Sequence, residues 1–208
     1  MAVIRPFCAL RPTPANAAAV AAVPYDVVST EEARELASGN PLSFLHVSRA
    51  EIDLPDGTDP YDQKVYDQAI SNLETLAITA PLVVESAPSL YVYRLRTNDH
   101  EQTGIAGCFS LDEYDRNIVK RHERTRPDKE DDRTRHMLAL GAQTGIVFLT
   151  YRAKDAIEGL TTNNMSAEPL VDIVAPDGVQ HTVWRMSPND AENIVAAFGE
   201  VASIYIAD

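Results

Sequence analysis

The segment from Arg116 to His136 constrains this chain most, because it joins the end of an apolar run to the start of a helix through a series of charges. Eight of the eighteen Lys and Arg residues lie in it, although the whole chain carries a formal net charge of -13. Ile118 and Val119 close the apolar run, and Pro127 suits the first position of a helix. Ligands often bind where a strand leads into a helix, and helix N-termini favour phosphate. The segment therefore predicts an anion site.

A solvated helix face explains part of the same charge. After Pro127, acidic residues occupy the first turn, where the positive end of the helix dipole stabilises them, and basic residues follow. Asp131 and Arg135 are four residues apart and can pair, and Gly141 is a plausible helix cap. We therefore interpret these helical charges as mostly self-paired. Residues 120–125, which we name the basic segment, are different, because neighbouring charges cannot all face water from one strand.

Composition indicates a globular chain of ordinary domain size. The 208 residues are 45% hydrophobic and 24% charged, which is typical of a folded protein. The acidity argues against broad, nonspecific binding of DNA or membranes, since both attract basic surfaces. The two cysteines lack a C-x-x-C spacing and indicate neither a disulfide framework nor a zinc site. No apolar run suggests a membrane helix or a signal peptide, so we expect a cytoplasmic protein.

Helix and strand signals alternate along the chain and predict one α+β domain over residues 1–208, with a mixed sheet, hairpins and packed helices. An apolar stripe predicts a helix over Tyr61 to Ala77, and Ser29 with Glu32 forms a capping box for a shorter one. Turn residues predict hairpins at 98–101 and 176–178. Short apolar runs predict strands at 3–10, 42–49 and 145–151.

The last residues, V-A-S-I-Y-I-A-D, predict a strand in which Ile204 and Ile206 face away from Tyr205. Domains usually finish in a polar tail or after a surface helix, whereas this chain stops within an apolar strand. We therefore expect these residues to be the N-terminal half of a longer chain. A natural C-terminal strand is the alternative.

Three stretches carry a family resemblance: V-P-Y-D-V near residue 25, N-P-L-S-F-L-H-V-S-R-A-E-I-D, and V-K-R-H-E-R-T with the following P-D-K-E-D-D-R. They resemble the domain-of-unknown-function family numbered 1015, over most of the chain, and H-E-R-T is the most specific of them. Members of that family are about twice as long and continue from a similar strand into G-H-H-R. The resemblance also implies a distant relationship to the ParB and sulfiredoxin superfamily, and hence a partly ParB/sulfiredoxin-like fold.

That superfamily includes free serine kinases, which hold phosphates with a comparable D-G-H-H-R loop. The resemblance therefore implies phosphoryl transfer to a small amino acid, free serine, with pyrophosphate or a nucleotide as donor and Mg²⁺ accompanying it. It implies a phosphate site made by Lys120, Arg121, Arg124 and Thr125, with His122 beside them. The resemblance makes Glu123 the candidate base or metal-organising carboxylate and also makes His122 a candidate catalytic residue. It further implies that Asp208 opens the phosphate loop. Because G-H-H-R is missing, we expect this chain to be inactive on its own.

Two further points stay open. The Pro24-Tyr25-Asp26 turn is either structural or a substrate contact, and we assign Tyr25 and Asp26 as candidate substrate-binding residues.

The alternative to an enzyme is a noncatalytic ParB-like regulatory module that binds a nucleotide or nucleic acid, although the net charge disfavours nucleic acid. The basic segment contains the cations and the carboxylate that phosphoryl transfer requires, and no P-loop or kinase glycine loop is present. The sequence assigns no metal ligands and no oligomeric state.

Overall fold

The computed structural model describes residues 1–122 and 124–207, which form an α+β fold. The strands are β1 (Ile4–Arg5), β2 (Leu10–Pro12), β3 (Leu82–Val84), β4 (Tyr91–Arg96), β5 (Glu101–Ala106), β6 (Cys108–Phe109), β7 (Val119–Lys120), β8 (Leu149–Tyr151), β9 (Val171–Val174), β10 (Gln180–Arg185) and β11 (Ile204–Ile206). The helices are α1 (Ala17–Val20), α2 (Thr30–Ala37), α3 (Leu45–Ser48), α4 (Gln63–Thr79), α5 (Leu111–Asp115), α6 (Pro127–Leu140), α7 (Asp155–Asn164) and α8 (Pro188–Phe198). Two 3₁₀ turns occupy Pro14–Asn16 and Ala50–Asp53.

The chain separates into two compact units. Residues 1–14, 83–122 and 147–207 form the first, which we name the sheet unit. Residues 15–82 and 124–146 form the second, which contains α1 to α4 and α6 and which we name the helical unit.

The sheet unit contains a four-stranded antiparallel sheet in the order β5-β4-β10-β9. Both predicted hairpins are confirmed in it: β4 pairs with β5, and β9 pairs with β10. The second hairpin turns at Gly178, whose φ of 83° is readily available only to glycine. Phe198 on α8 is fully buried among the aliphatic side chains that line this unit, with the rings of Phe109 and Tyr151 edge-on against it.

A second sheet in this unit has the order β7-β11-β8. Strand β11 lies in its centre, parallel to β7 and antiparallel to β8. Ile204 is fully buried and Tyr205 is exposed, so the predicted alternation along this strand is confirmed. The neighbouring Asp208 lies outside the described residues.

The helical unit is built around α4, the helix with the clearest apolar stripe. Val65 and Ala69 on that stripe are buried, and α3, α6 and the 3₁₀ turn at Ala50–Asp53 pack against the helix. Helix α2 begins with the predicted capping box: Ser29 Oγ accepts from the Glu32 amide at 3.2 Å, and the Ser29 amide donates to the Glu32 carboxylate at 2.8 Å. These local signals fix where the helices start.

Three predicted strands differ from the structure. Residues 42–49 contain the short helix α3 instead of a strand, because a short apolar run fits either period and Ser43 Oγ accepts from the Leu45 amide at the helix start. Instead of one strand over residues 3–10, β1 occupies Ile4–Arg5 and the separate strand β2 begins only at Leu10. At 145–151 only β8 forms, and Ile146, Val147 and Phe148 before it are exposed. Among the described residues, no helix is both long and apolar enough to cross a membrane.

Candidate functional site

A cavity of about 440 Å³ lies within the helical unit, a size at the small end of ligand-binding pockets. Among the residues that the structure describes, charges of both signs line it in equal number: the carboxylates of Asp26, Glu51 and Asp132, and the cations of Arg49, Lys129 and Arg133. Three tyrosines, His136 and Ser48 complete its polar lining, with Val28, Ala50, Pro60 and Val65 as the apolar part. We name it the central cavity.

One face of helix α6 supplies four of these side chains. Lys129, Asp132, Arg133 and His136 follow the spacing i, i+3, i+4, i+7, which places them along one side of a helix. Asp132 and His136 are buried, whereas polar residues in such positions normally face water. The charges of α6 are therefore not all a solvated face, and the helix turns its charged side towards the cavity.

Asp132 is the most constrained of these groups. The Tyr66 hydroxyl donates to its Oδ1 at 2.8 Å, and Arg133 Nε donates to its Oδ2 at 2.8 Å. Burial and the bond to Asp132 together raise the pKa of Tyr66 to about 12, so the phenol keeps its proton. A buried carboxylate needs such partners, because an unpaired charge in the interior costs several kcal/mol. Asp132 thus fixes the positions of both Tyr66 and Arg133.

Aromatic rings hold the cations of α6 in place. The Arg133 guanidinium lies 4.2 Å from the centroid of the Tyr25 ring, and the Lys129 ammonium lies 5.4 Å from that of Tyr61. Such cation–π contacts stabilise a charge by about 0.5–2 kcal/mol and restrict where it can go. Burial raises the pKa of Tyr25, although the nearby Arg133 opposes this effect. The predicted substrate residues Tyr25 and Asp26 both line this cavity.

His136 contributes a buried ring nitrogen that has no hydrogen-bond partner among the described residues. Its Nε2 lies 3.0 Å from the backbone carbonyl of Val47, and a carbonyl oxygen can only accept, so Nε2 carries the proton. Burial is the main cause that lowers the pKa of His136, which therefore stays neutral at physiological pH. Its Nδ1 then holds a lone pair, and this buried atom has no hydrogen-bond partner among the described residues.

The lining of the cavity contains a second buried carboxylate. Glu51 lies in the 3₁₀ turn before α4 and is 4% exposed. Its Oε1 accepts from the Thr30 hydroxyl at 3.2 Å and lies 3.1 Å from Arg49 Nε. Two elements of the lining therefore each carry a carboxylate–arginine pair, Glu51 with Arg49 before α4 and Asp132 with Arg133 on α6.

A second cavity in the helical unit, of about 420 Å³, carries a histidine whose nitrogens are both engaged. His46 Nδ1 lies 2.9 Å from the Asp53 carboxylate, and its Nε2 lies 3.3 Å from the Asn40 carbonyl. Asn72 also donates to Asp53 and to the His46 carbonyl. These contacts tie the local chain together and leave His46 no spare acceptor, so the central cavity is the better candidate for chemistry.

The basic segment extends over both units. Within the sheet unit, Lys120 Nζ lies 5.5 Å from the Tyr205 ring centroid, and the Arg121 guanidinium lies 4.4 Å from that of Tyr114. His122 in that unit and Arg124 in the helical unit are exposed. In the helical unit, the Thr125 hydroxyl donates to the Glu130 carboxylate at 3.1 Å. The predicted carboxylate of this segment, Glu123, lies outside the described residues, as does Asp208.

The described residues do not form a metal site by themselves. No group of three His, Cys, Asp or Glu side chains in residues 1–122 and 124–207 is arranged to hold an ion. Two of the three carboxylates of the central cavity, Glu51 and Asp132, are engaged by tyrosine, threonine and arginine, as described above. Mg²⁺ therefore stays an expectation that accompanies the phosphate donor.

Sequence reasoning missed Arg133 and His136 as site residues. The signal was present, since Lys129, Asp132, Arg133 and His136 fall on one helical face. The pattern alone does not indicate a binding site, because a polar face of a helix is usually a solvated one. What distinguishes α6 is that its charged face meets the tyrosines Tyr25, Tyr61 and Tyr66, which lie far away in the sequence.

A protein-family model matches this chain. The family described as "Protein of unknown function (DUF1015)" matches residues 4–208, which is nearly the whole chain. Comparisons with curated proteins and with solved structures give no significant match.

Proposed function

The chain belongs to the DUF1015 family, and on that premise we propose that it transfers a phosphoryl group to a small amino acid, with free serine as the acceptor. Pyrophosphate or a nucleotide is the donor, and Mg²⁺ accompanies the donor phosphates. The distant relationship to ParB-like proteins and free serine kinases belongs to the same proposal.

The charge-balanced central cavity is the observation that carries this proposal. Three cations and three carboxylates line it, so its lining suits a small ligand that bears both charges. A nucleic-acid surface needs excess positive charge along an extended face, and the net charge of -13 opposes it. A concave, balanced site therefore favours a small-molecule enzyme over a nucleic-acid-binding module.

The proposal assigns two chemical roles to two sets of residues. Phosphoryl transfer needs cations that neutralise the phosphate oxygens and a group that orients the attacking hydroxyl. In this proposal the half-buried Lys120 and the exposed Arg121 and Arg124 meet the first requirement, at the donor. The central cavity supplies the second at the acceptor, with Tyr25 and Asp26 among its lining.

The test is direct detection of phosphoserine. The protein, as this chain and as the complete product of its gene, is incubated with L-serine and with pyrophosphate, ATP or ADP in Mg²⁺ buffer. Mass spectrometry then follows phosphoserine formation. We expect product with one of these donors, and Arg133→Ala should reduce it at least tenfold, because that variant removes a cation of the cavity.

Lys64→Ala is the matched control, since Lys64 is an exposed cation of the same unit that pairs with Asp62 at 3.3 Å and does not line the cavity. It should leave the rate unchanged. No phosphoserine with any donor from the complete product would refute the kinase assignment. Nucleotide or nucleic-acid binding without turnover would instead support the regulatory module.

A further inference from the structure

We propose that the central cavity is the acceptor site for a hydroxyl-bearing zwitterion, and that His136 Nδ1 takes the proton of its hydroxyl group. This inference rests on the proposed function for the identity of the reaction. It adds the place where the acceptor binds, the class of ligand that fits, and the residue that acts on the reacting oxygen.

The charges of the cavity select the ligand class. Arg133 is fixed by Asp132 and by the Tyr25 ring, so a carboxylate that binds it meets a cation already held in place. Lys129 provides a second, more exposed cation. Asp26, an exposed carboxylate in the same lining, is placed for an ammonium group. A polyphosphate would meet three carboxylates here, whereas an amino acid in its zwitterionic form matches both signs.

The hydroxyl requirement comes from His136. Its Nε2 is committed to Val47, which fixes the tautomer and leaves Nδ1 as an acceptor only. A buried acceptor without a partner is costly, and it is unusual in a native structure unless it has a role. A ligand hydroxyl is a donor that satisfies Nδ1 when it enters the cavity. An amino acid without that hydroxyl leaves the nitrogen unpaired and should bind more weakly.

Transfer of the phosphoryl group to the bound hydroxyl breaks two bonds and forms two. The hydroxyl O–H bond breaks and its proton goes to His136 Nδ1, while the oxygen forms a bond to the terminal phosphorus of the donor. The bond from that phosphorus to the bridging oxygen breaks, and the leaving phosphate or nucleotide keeps the electron pair. Burial and the nearby Arg133 disfavour the imidazolium that forms, whereas the carboxylates of Asp132 and Glu51 favour it. It then passes the proton to the leaving group or to water.

Binding without a donor tests the ligand class. Isothermal titration of the protein with L-serine, L-alanine and ethanolamine compares the full ligand with analogues that lack the hydroxyl or the carboxylate. We expect L-serine to bind at least tenfold more tightly than either analogue. Equal affinity for L-serine and L-alanine, or no binding of L-serine, would overturn the inference.

Two variants of His136 separate its two nitrogens. His136→Gln keeps a donor near the position of Nε2, so the bond to Val47 can persist, but it removes the Nδ1 acceptor. In this variant the preference for L-serine over L-alanine should disappear, while circular dichroism shows the helices intact. His136→Asn keeps a polar atom near Nδ1 and should retain part of the preference. Undiminished discrimination in His136→Gln would refute the role of Nδ1.

Turnover distinguishes this inference from the proposed function. If His136→Gln forms phosphoserine at the wild-type kcat, the assignment of the base is wrong and the kinase function stands. If wild-type protein discriminates L-serine through His136 but forms no phosphoserine with any donor, the acceptor site stands and the kinase function is wrong. A fall in kcat of a hundredfold or more in His136→Gln supports both, since a general base contributes about that much.

Discussion

Replacing Tyr66 with Phe should destabilise the helical unit through one lost hydrogen bond. The Tyr66 hydroxyl donates to Asp132 Oδ1 at 2.8 Å, and the two residues are 1% and 6% exposed. Tyr66→Phe removes only the hydroxyl oxygen, so the ring packing stays. The change leaves a buried carboxylate oxygen without its donor.

The expected cost is about 2 kcal/mol, because a hydrogen bond to a charged group contributes about 1.5–3 kcal/mol. Urea unfolding followed by far-ultraviolet circular dichroism at 222 nm suits this unit, since its regular secondary structure is predominantly helical. With a urea slope of about 2 kcal/mol per molar, the midpoint should fall by about 1 M and the slope should stay the same.

Tyr205→Phe is the matched control. Tyr205 is 41% exposed, and the substitution keeps the aromatic ring that lies against Lys120. Surface changes of this kind usually alter stability by less than about 0.5 kcal/mol. An equally small effect of Tyr66→Phe would refute the reasoning, because it would mean that Asp132 does not depend on the tyrosine hydroxyl.

Two further predictions concern stability. Burial lowers the pKa of His136, so below pH 6.5 the unfolded chain binds a proton that the folded chain does not. The free energy of unfolding should therefore fall as the pH decreases below 6.5, by at most about 1.4 kcal/mol per pH unit from this group. In urea titrations at several pH values, His136→Gln should reduce that slope. A Cβ at Gly107 would lie 2.7 Å from side-chain atoms of the buried Ile4 and Leu90, so Gly107→Ala should lower the free energy of unfolding by about 1–3 kcal/mol, measured by tryptophan fluorescence. A Cβ at Gly104 would have no atom within 4 Å, so Gly104→Ala should not lower it in this way. Equal effects of the two variants would contradict this overpacking.

Local signals in the sequence predicted much of the fold. The capping box of Ser29 and Glu32 and the glycine turn at Gly178 depend on residues within a few positions of each other, so the sequence shows them directly. The segment 42–49 was predicted wrongly, because its apolar residues fit a strand and a short helix equally well. Only tertiary packing decides such a segment, and here α3 packs against α4.

The site was less predictable than the fold. Tyr25 and Asp26 were selected from a motif, and both line the central cavity. His136 could not be identified in the same way, because its importance depends on the Val47 carbonyl, which lies 89 positions away in the sequence. A charged helix face usually indicates contact with water, and only the tertiary structure shows that this one has buried partners.

The arrangement of the helical unit along the chain has a consequence for synthesis. Residues 15–82 leave the ribosome first and contain Tyr25, Glu51 and Tyr66, but α6 follows only after residues 83–123 have been added. Until then, no carboxylate from α6 meets the Tyr66 hydroxyl and no imidazole meets the Val47 carbonyl. The nascent chain therefore carries only part of the lining of the central cavity, which is complete once α6 has been added.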